Sequence, residues 1–570
     1  MQRNSFALLF LIVIFGLGLR LYNISDVPPS LNWDEVSHGY NAYSILRTGR
    51  DEWGKQFPVT NFRAYGDYPL PLNLYFLIPS VAVFGLTEFG IRFPHVILGT
   101  LTIISSFFLA YGVARRRVVG FLVALLVAIE PWYVFPSRFV LQSNMSVFLI
   151  ITSMALFFNR EKHRIFLPLA AFLLGLTLFA YHSTRIFSPL LLLAVIFIYR
   201  PDLFKCLKKE SVLSMILWGV ASVFFLSLPV ILLNNEARAR ANWVFLIDQG
   251  AVNKIIESRS NSHLPPILVK AVYNRPVYFI KAFSQRYVEY FSPEFLFYKG
   301  GTHYQFSVPD TGLLYKINLP FFYLGLFCII CAALKRKKDY IFVTVWFLLA
   351  PIPASITQEH FAVLRSTTFL PLPQLSVALG FLFGLDLIKR KFGRGEVSGK
   401  VAVTLYVALL LIELEGYLTV LFTEYNQKYS WAWQYGYKQV AEYAKQRYGN
   451  YDKFIVTKKY GEPHEFFLFY LHYDPRKYMN DLGTVRYFKS DWYWVDGFDK
   501  FYFLNDWNVV GDTGTDGGTE FVLESGGTVD CRMLRCLMIT SPGNYPLGWR
   551  LVETIYFLDG KTAFEILENI

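Results

Sequence analysis

Two adjacent carboxylates stand near the start of the chain, in the run Asn32-Trp33-Asp34-Glu35. They closely follow the first apolar run, so they lie near the membrane surface if that run spans a bilayer. One interpretation is a helix N-terminus, with Asp34 as the cap and Glu35 stabilised in the first turn. The other is a general base at the bilayer edge, where the head group of a lipid substrate would lie. The spacing by itself favours neither.

A third acid, Asp67, stands in the run Gly66-Asp67-Tyr68-Pro69-Leu70-Pro71. The prolines prevent a helix here, so Asp67 is expected on a turn. Alone, Asp67 is typical of an ordinary turn aspartate. Paired with Asp34, it is expected to add a second acidic group on the same side of the membrane.

Cationic side chains recur at the expected outer ends of apolar segments. A single arginine there is often only an interfacial anchor. Three clusters that also contain histidine and tyrosine indicate a phosphate or pyrophosphate site, because the arginine fork binds phosphate oxygens in pairs. The predicted donor-phosphate contacts are Arg138, Tyr181, His182, Arg185, His360 and Arg365.

The elements that carry these residues belong to a membrane protein. Of the 570 residues, 54% are apolar and 17% are charged, whereas a soluble chain has about a quarter charged residues. A soluble enzyme and a disordered chain are therefore excluded. The net charge of +12 does not indicate nucleic-acid binding, because much of the basic charge lies in short loops between apolar runs, where it orients the chain in a bilayer. The five cysteines are too few for a disulfide scaffold, and none lies in a Cys/His cluster with zinc spacing.

The fold class is predicted to be an α-helical polytopic membrane protein with about eleven transmembrane helices. A spanning helix needs about 20 mostly apolar residues. The candidate spans are 6–22, 93–113, 119–135, 143–158, 166–182, 186–199, 211–233, 314–333, 340–355, 367–387 and 400–423.

Lysine and arginine set the expected orientation. Five short basic loops are placed in the cytoplasm together with the N-terminus, and the eleven spans then alternate without conflict. The chain is thus predicted to be a multi-pass protein of the cytoplasmic (plasma) membrane, with its C-terminal part outside. Residues 1–423 form the predicted membrane domain, with outer loops 23–92, 234–312 and 356–366. The basic loops are 115–117, 160–164, 200–209, 335–338 and 389–400.

One apolar segment, 70–86, does not fit this alternation. If it spanned the membrane, the basic loop at 115–117 would face outward. It is therefore predicted to lie in the outer interface or to dip partway into the bilayer.

The tail, 424–570, is polar and rich in turns, and is predicted to be a small extracytoplasmic α/β domain. A helix is expected at 434–448, a strand at 453–458, a helix near 463–472, and several short aromatic strands beyond. Asp512 to Gly518 is expected to be a loop. Cys531 and Cys536 are either a short-loop disulfide or two ordinary strand residues.

Carboxylates and an anion-binding set on the outer side suit one reaction well. A sugar on a polyprenyl phosphate is held at that face by its lipid tail, and an acceptor hydroxyl attacks the anomeric carbon. A base takes the proton, while arginines stabilise the leaving phosphate. Because phosphate leaves without a protonating acid, one essential carboxylate suffices, unlike the pair of a glycosidase.

These motifs resemble the GT-C glycosyltransferases of family 39, which include dolichyl-phosphate-mannose protein mannosyltransferases and the bacterial aminoarabinose lipid A transferase. The resemblance covers about residues 1–390, and it lies in the order and sidedness of short motifs. They are Asp34-Glu35, Tyr68-Pro69-Leu70-Pro71, the Gly85–Arg92 stretch, Ser137-Arg138, Tyr181-x3-Arg185 and His360-x4-Arg365.

The resemblance implies a hexosyl- or pentosyltransferase with Asp34 as the catalytic carboxylate, Glu35 as its companion and Asp67 on the acceptor side. It also implies a polyprenyl-phosphate sugar donor, membrane lipid as a partner and no metal cofactor. The chain departs from the pattern where many relatives carry Lys or His before the double proline, and where Gln142 and Asn144 replace an acid after Ser137-Arg138. The acceptor, whether protein, lipid or glycan, stays open.

Three rival interpretations remain. A transporter or flippase would place ionisable residues near the bilayer midplane, where only Glu413 and Glu415 are candidates. An oligosaccharyltransferase-like enzyme would use Asp34, Glu35 and another acid to hold a divalent cation. In a receptor, the tail would be the functional domain and the membrane region would be passive.

Overall fold

The computed structural model describes residues 3–206, 211–233, 243–391, 395–490, 492–510 and 519–569. The chain forms two compact units. Unit 1 comprises Met1–Tyr22, His95–Ser137 and Leu141–Leu418, and unit 2 comprises Asn23–Pro94, Arg138–Val140 and Thr419–Ile570. Unit 2 therefore joins the first loop to the tail, a grouping that the sequence-based division at residue 423 does not contain.

Helices account for most of the chain before the tail. Their bounds are α1 Arg3–Leu21, α2 Trp33–Thr48, α3 Pro71–Phe84, α4 Glu88–Ala114, α5 Arg117–Ile129, α6 Pro131–Val134, α7 Gln142–Phe158, α8 Phe166–Leu176, α9 Thr184–Cys206, α10 Val212–Leu233, α11 Gln249–Ser260, α12 Pro266–Val272, α13 Arg275–Glu289, α14 Leu319–Leu334, α15 Lys338–Leu349, α16 Ile352–Ser355, α17 Leu372–Lys391, α18 Gly395–Thr419, α19 Tyr425–Tyr429, α20 Tyr437–Gln446, α21 Pro463–Tyr470, α22 Pro475–Asn480 and α23 Trp507–Val510.

Each of the eleven predicted apolar segments contains helix, which confirms the mostly helical class. The count of eleven spans is not confirmed. Among the described residues, six helices are long and apolar enough to cross a membrane, or seven if the pair Arg117–Ile129 and Pro131–Arg138, bent by 67°, is one span. The shortfall arises because several predicted segments form shorter helices, such as Gln142–Phe158 and Phe166–Phe179.

The ambiguous segment 70–86 forms helix α3, which has 14 residues. At about 1.5 Å per residue, such a helix is shorter than the roughly 30 Å hydrocarbon core. Its Leu74 packs in a small core with Ile45 and Phe62 of the first loop. The short length agrees with leaving this segment out of the spans, and its interfacial location stays a prediction.

Close helix packing and buried polar contacts hold unit 1 together. Helices α14 and α17 approach at Gly325 and Gly380, where an added Cβ would lie 1.8 Å from the Ser376 carbonyl and 2.0 Å from the Phe321 carbonyl. Small residues permit such contact between helices. In α1, the fully buried Arg20 donates to the backbone carbonyls of Gly16, Val127 and Ala128 at 2.8–2.9 Å.

The tail folds around a seven-stranded mixed sheet with the order β2-β3-β4-β1-β7-β9-β8. The central strand β1 pairs parallel with β4 and with β7, and the other pairs are antiparallel. Strands β5 and β6 form a separate hairpin. The strands are β1 Lys453–Thr457, β2 Val485–Lys489, β3 Trp492–Phe498, β4 Phe501–Leu504, β5 Glu520–Val522, β6 Thr528–Asp530, β7 Cys536–Thr540, β8 Arg550–Tyr556 and β9 Thr562–Glu568.

The predicted tail elements agree with this structure. The helix expected at 434–448 is α20, the strand expected at 453–458 is β1, and the helix expected near 463–472 is α21. A disulfide joins Cys531 to Cys536, which is one of the two alternatives that the sequence left open. The expected loop from Asp512 to Gly518 lies outside the described residues.

Within unit 2, the first loop packs directly on the tail. An added Cβ at Gly39 of α2 would lie 2.7 Å from the Phe469 ring of α21. The Tyr40 hydroxyl donates to the Tyr473 carbonyl at 3.2 Å. The α2 helix is therefore part of the core that also contains the tail.

Because the first loop and the tail share one unit, both should lie on the same side of the membrane, opposite the basic loops. Cysteines introduced at Gln56 and Ser525, both exposed, should react with an impermeant thiol reagent added outside, whereas a cysteine at the exposed Glu161 should not. Cys206, Cys328 and Cys331 are replaced beforehand. Labelling at only one of the first two positions, or at position 161, would contradict this topology.

Candidate active site

Helix α2 carries Asp34 and Glu35 in its first turn. Asn32 caps the helix, since its side chain accepts the Glu35 backbone N–H at 2.9 Å and the Glu35 carboxylate accepts the Asn32 N–H at 3.3 Å. This capping box satisfies two N–H groups that have no partner inside the helix. The expected helix N-terminus, with Glu35 in its first turn, is thus present, but the cap is Asn32 and not Asp34.

The Glu35 carboxylate is paired with the Arg92 guanidinium, and both side chains are 0% exposed. Arg92 Nε donates to Oε1 at 3.0 Å and Nη2 to Oε2 at 2.9 Å. The Val140 backbone N–H also donates to Oε1, at 3.1 Å. Other N–H groups of Arg92 donate to the backbone carbonyls of Ile24, Pro28 and Ser30. Glu35 is thus a structural residue, held away from solvent and from any substrate.

Asp34, in contrast, is only half-buried, and its Oδ1 accepts a hydrogen bond from the Tyr65 hydroxyl. The Tyr65 ring stacks on Trp492, with centroids 5.3 Å apart, and contacts the edge of Trp33 at 6.4 Å. Burial, together with the Asp34 charge, raises the pKa of Tyr65 well above its ordinary value. The phenol therefore stays protonated and fixes the Asp34 carboxylate through one of its two oxygens.

The tail supports Tyr65 from the other side. The Trp492 indole N–H donates to Glu462, and the Tyr493 backbone N–H donates to the Tyr65 carbonyl at 2.8 Å. An added Cβ at Gly66 would lie 1.9 Å from the Trp492 ring, so the close approach of loop and strand requires glycine. Sequence analysis missed Tyr65 and Trp492. The dense aromatic run around Trp492 was the only sequence feature that could have indicated a role for this strand, and it did not identify Tyr65 as the partner of Trp492.

Glu462 belongs to a buried acid cluster with Glu52, Glu465 and His464. Burial raises the pKa of Glu52 to about 7 and that of Glu462 to about 8, and it raises the pKa of Glu465 well above its ordinary value. Burial also lowers the pKa of His464 to about 3. Burial thus favours the neutral forms of Glu462, Glu465 and His464, and Glu462 accepts the Trp492 indole N–H.

His38 lies one turn after Asp34, on the same face of α2. Burial lowers the pKa of His38, against a smaller opposing effect of the Asp34 charge. Its Nδ1 lies 3.4 Å from Nδ2 of Asn73. The ring is therefore neutral near pH 7 and adds no second charge on this face of the helix.

Asp67 closes a turn in the loop that carries Tyr65. Its carboxylate accepts the Tyr68 backbone N–H at 2.7 Å, and its carbonyl accepts the Ala64 N–H at 3.1 Å. The expected turn is thus present. The acceptor-side role that the resemblance implied for Asp67 stays a prediction.

Arg138 is fully buried, contrary to its expected place in an open phosphate site. Its guanidinium donates to the Val27 carbonyl at 3.0 Å and to the Asn23 carbonyl at 3.3 Å, and it lies 4.9 Å from the centre of the Phe422 ring. These contacts occupy the guanidinium and link it to the chain segment that follows α1. They assign Arg138 a structural role, because no exposed surface is left for a phosphate.

Unit 1 contains a cavity of about 150 Å³ that brings together four of the predicted phosphate contacts. Its lining includes Tyr181, His182, Arg185 and Arg365. Apolar side chains complete the wall, among them Leu232, Phe245 and Ile356. A cationic patch beside an apolar wall suits the phosphate of a lipid.

The two arginines of this cavity are held differently. Arg185 is 6% exposed, and its Nε donates to the Leu178 carbonyl at 3.1 Å. Arg365 forms an ion pair with Glu359. His360 lies outside the lining of the cavity and contacts Glu289 through Nε2 at 3.0 Å.

The carboxylates proposed for a divalent cation do not form a binding set. Among the described residues, no group of three or more His, Cys, Asp or Glu side chains has the geometry to hold a metal ion. Glu35 is committed to Arg92 and to two backbone N–H groups, so it cannot join Asp34 as a ligand. Independence of metal stays a prediction.

Residues 10–244 match the family described as dolichyl-phosphate-mannose-protein mannosyltransferase. This segment includes Asp34, Glu35, Asp67, Arg138 and Arg185. The match confirms the resemblance drawn from the motifs over this part of the chain. No curated protein sequence matches the chain.

Solved structures with a similar fold share little sequence with this chain. The Archaeoglobus fulgidus oligosaccharyltransferase tethered to an acceptor peptide has a TM-score of 0.50 at 14% identity, over 83% of this chain and 63% of that one. The chain thus spans less than two thirds of that enzyme's length. A likeness at this identity indicates the fold only.

Two further structures have lower TM-scores. ArnT from Cupriavidus metallidurans, bound to undecaprenyl phosphate, has a TM-score of 0.48 at 12% identity, over 99% of this chain and 97% of that one. The S. cerevisiae protein O-mannosyltransferase Pmt1-Pmt2 complex, bound to its sugar donor, has a TM-score of 0.30 at 20% identity, over 46% and 38%.

The two adjacent carboxylates should respond differently to substitution. Glu35→Ala leaves a buried Arg92 without its partner, and removing one member of a buried pair costs roughly 3–5 kcal/mol. We expect a large fall in the thermal unfolding temperature of the purified protein. Asp34→Asn is the matched control and should unfold close to the wild type, because Asp34 is half-buried and its carboxylate accepts a hydrogen bond from a neutral phenol. Equal stability of the two variants would contradict the assignment.

Proposed function

We propose that this protein is an inverting glycosyltransferase that moves a sugar from a polyprenyl-phosphate donor to an acceptor hydroxyl at the outer face of the membrane. The proposal rests on the different environments of two neighbouring acids, Asp34 and Glu35. Glu35 is buried in an ion pair, whereas Asp34 is accessible and oriented by Tyr65. A general base needs this combination of access and fixed geometry.

In the proposed reaction, Asp34 accepts the proton of the acceptor hydroxyl. The acceptor oxygen forms a bond to the anomeric carbon as the bond from that carbon to the phosphate oxygen breaks. The phosphate leaves with the bonding electron pair and stays on the lipid as an anion. A single displacement of this kind inverts the anomeric configuration.

Tyr65 is proposed as a positioning residue for Asp34. Its hydroxyl engages Oδ1 and leaves Oδ2 for the acceptor proton. The stack on Trp492 and the backbone bond from Tyr493 hold the ring in place. The tail would thus contribute to the reaction by fixing the base.

Arg185 and Arg365 are proposed to hold the donor phosphate. Guanidinium groups bind phosphate through paired, charge-assisted hydrogen bonds. The donor phosphate would replace Glu359 as the partner of Arg365, and the apolar wall would accept the first isoprene units. His182 and Tyr181 add hydrogen-bonding groups to the same cavity.

A transporter is less well supported. Glu413, one of the acids that a transport pathway would have used, accepts the backbone N–H groups of Lys316 and Ile317 at 2.5 and 2.9 Å. It therefore satisfies the free end of a helix, which is a structural use of the charge.

Asp34→Asn should abolish sugar transfer while the protein stays folded. Removal of a general base lowers the rate about 10²–10⁴-fold. Tyr65→Phe should lose about tenfold, the cost of one hydrogen bond to a charged group, because Asp34 remains but is less well oriented. The measurement is consumption of polyprenyl-phosphate sugars by the purified protein. Full activity of Asp34→Asn would disprove the assignment of the base.

Arg185→Ala and Arg365→Ala should each raise the KM for the lipid donor about ten- to a hundredfold, because each removes a charge-assisted contact. Arg116→Ala, in an exposed basic loop, is the matched control and should leave the KM unchanged. Arg138→Ala should instead lower the unfolding temperature. An unchanged donor KM in both cavity variants would place the phosphate elsewhere.

A further inference from the structure

A second cavity lies entirely within unit 2 and has a volume of about 690 Å³. This is a typical size for a small-molecule site. Four arginines contribute to its lining, and none of the described lining residues is Asp or Glu. The arginines are Arg47 and Arg50 of the first loop, and Arg476 and Arg486 of the tail.

The Arg486 guanidinium is held in a fixed position in the lining of this cavity. Its guanidinium lies 4.5 Å from the centre of the Trp53 ring and 4.8 Å from that of Tyr478. Its Nη2 donates to the Glu52 carbonyl at 3.0 Å. Since stacking and a hydrogen bond fix the group before any ligand arrives, little side-chain entropy is lost on binding.

Two of the other arginines are tethered to backbone carbonyls, and the Arg47 guanidinium lies 5.5 Å from the centre of the Tyr43 ring. Arg476 Nη2 donates to the Arg47 carbonyl at 3.3 Å, and Arg50 Nη1 donates to the Gly54 carbonyl at 3.4 Å. Each guanidinium has five N–H donors. One such bond therefore leaves most of the donors of each guanidinium for a ligand.

The buried acids Glu52 and Glu465 act electrostatically on Arg486 from behind the cavity wall, but neither belongs to the cavity lining. Within the described parts of the chain, none of the four arginines has a carboxylate within ion-pair distance. Asp474 binds the Arg476 backbone N–H at 2.8 Å as a helix cap. The Asp51 carboxylate accepts the backbone N–H groups of Trp53 and Lys55. A cleft lined by one sign of charge concentrates ions of the opposite sign.

We propose that this cavity binds a phosphorylated ligand, supplied either by the acceptor or by the head group of a membrane lipid. Arginine in this number suits phosphate, because each fork binds two phosphate oxygens. The suggestion that the ligand is part of the acceptor rests on the proposed glycosyltransferase function. Binding of a phosphorylated ligand does not depend on that function, and it is tested without an activity assay.

The test is a calorimetric titration of the full-length protein in detergent with pyrophosphate. Because Arg185 and Arg365 line the other cavity, both are replaced by alanine throughout, so that failure of the donor-site proposal does not affect the result. Arg47→Gln with Arg476→Gln should weaken binding at least about tenfold, because both side chains are exposed and each removes a charge-assisted contact. Arg447→Gln, elsewhere in unit 2, is the charge-matched control and should bind like the parent.

A second arm distinguishes the sources of phosphate. The protein is mixed with nanodiscs of phosphatidylcholine with or without phosphatidylglycerol, and pyrophosphate binding is measured again. Competition by the anionic lipid supports a head group as the ligand, whereas undiminished binding supports a soluble phosphorylated acceptor. Absence of pyrophosphate binding to the parent, or equal weakening by Arg447→Gln and the double variant, would overturn the proposal.

Discussion

The buried pair of Glu35 and Arg92 is the interaction on which the candidate site depends. Two charges removed from water are tolerated only when nearly every polar atom has a partner, and here the carboxylate accepts from Arg92, Val140 and Asn32. The pair joins the start of α2 to the start of α4. Because the first turn of α2 is fixed in this way, the preceding residue, Asp34, has a defined direction.

The tail completes this arrangement within unit 2. Gly461, with φ +116, approaches the Trp33 ring so closely that an added Cβ would lie 2.2 Å from it. Trp492 stacks on Tyr65, which in turn binds Asp34. A domain that has no recognisable catalytic motif therefore supports the candidate base through packing. It also supplies two of the four arginines of the second cavity.

Sequence analysis succeeded where the signal is local. Long apolar runs predicted the helices, and alternation of turns with short aromatic runs predicted the α/β tail. The count of eleven spans is not confirmed, because helix length depends on breaks such as the one between Ile129 and Pro131, which hydropathy does not show. The resemblance implied Asp34 as the catalytic carboxylate and Glu35 as its companion, but the sequence did not show that Glu35 is buried against Arg92.

The difference between these two acids depends on residues far along the chain. Glu35 is buried because it pairs with Arg92, and Asp34 is oriented by Tyr65, which stacks on Trp492. These different roles of Asp34 and Glu35 therefore appear only in the folded chain. Arg138 is a second residue whose surroundings only the fold reveals. Its position at a helix end resembled that of a phosphate ligand, but three-dimensional packing turned its guanidinium towards the carbonyls of Asn23 and Val27.

The stereochemistry of transfer tests the central claim most directly. A synthetic polyprenyl-phosphate sugar of one defined anomeric configuration is supplied to the purified protein with membrane extract as the source of acceptor, and the product linkage is determined by NMR. Action by one base in a single displacement predicts complete inversion, with polyprenyl monophosphate as the released lipid. Retention of configuration would require a covalent intermediate on the enzyme and would contradict the account.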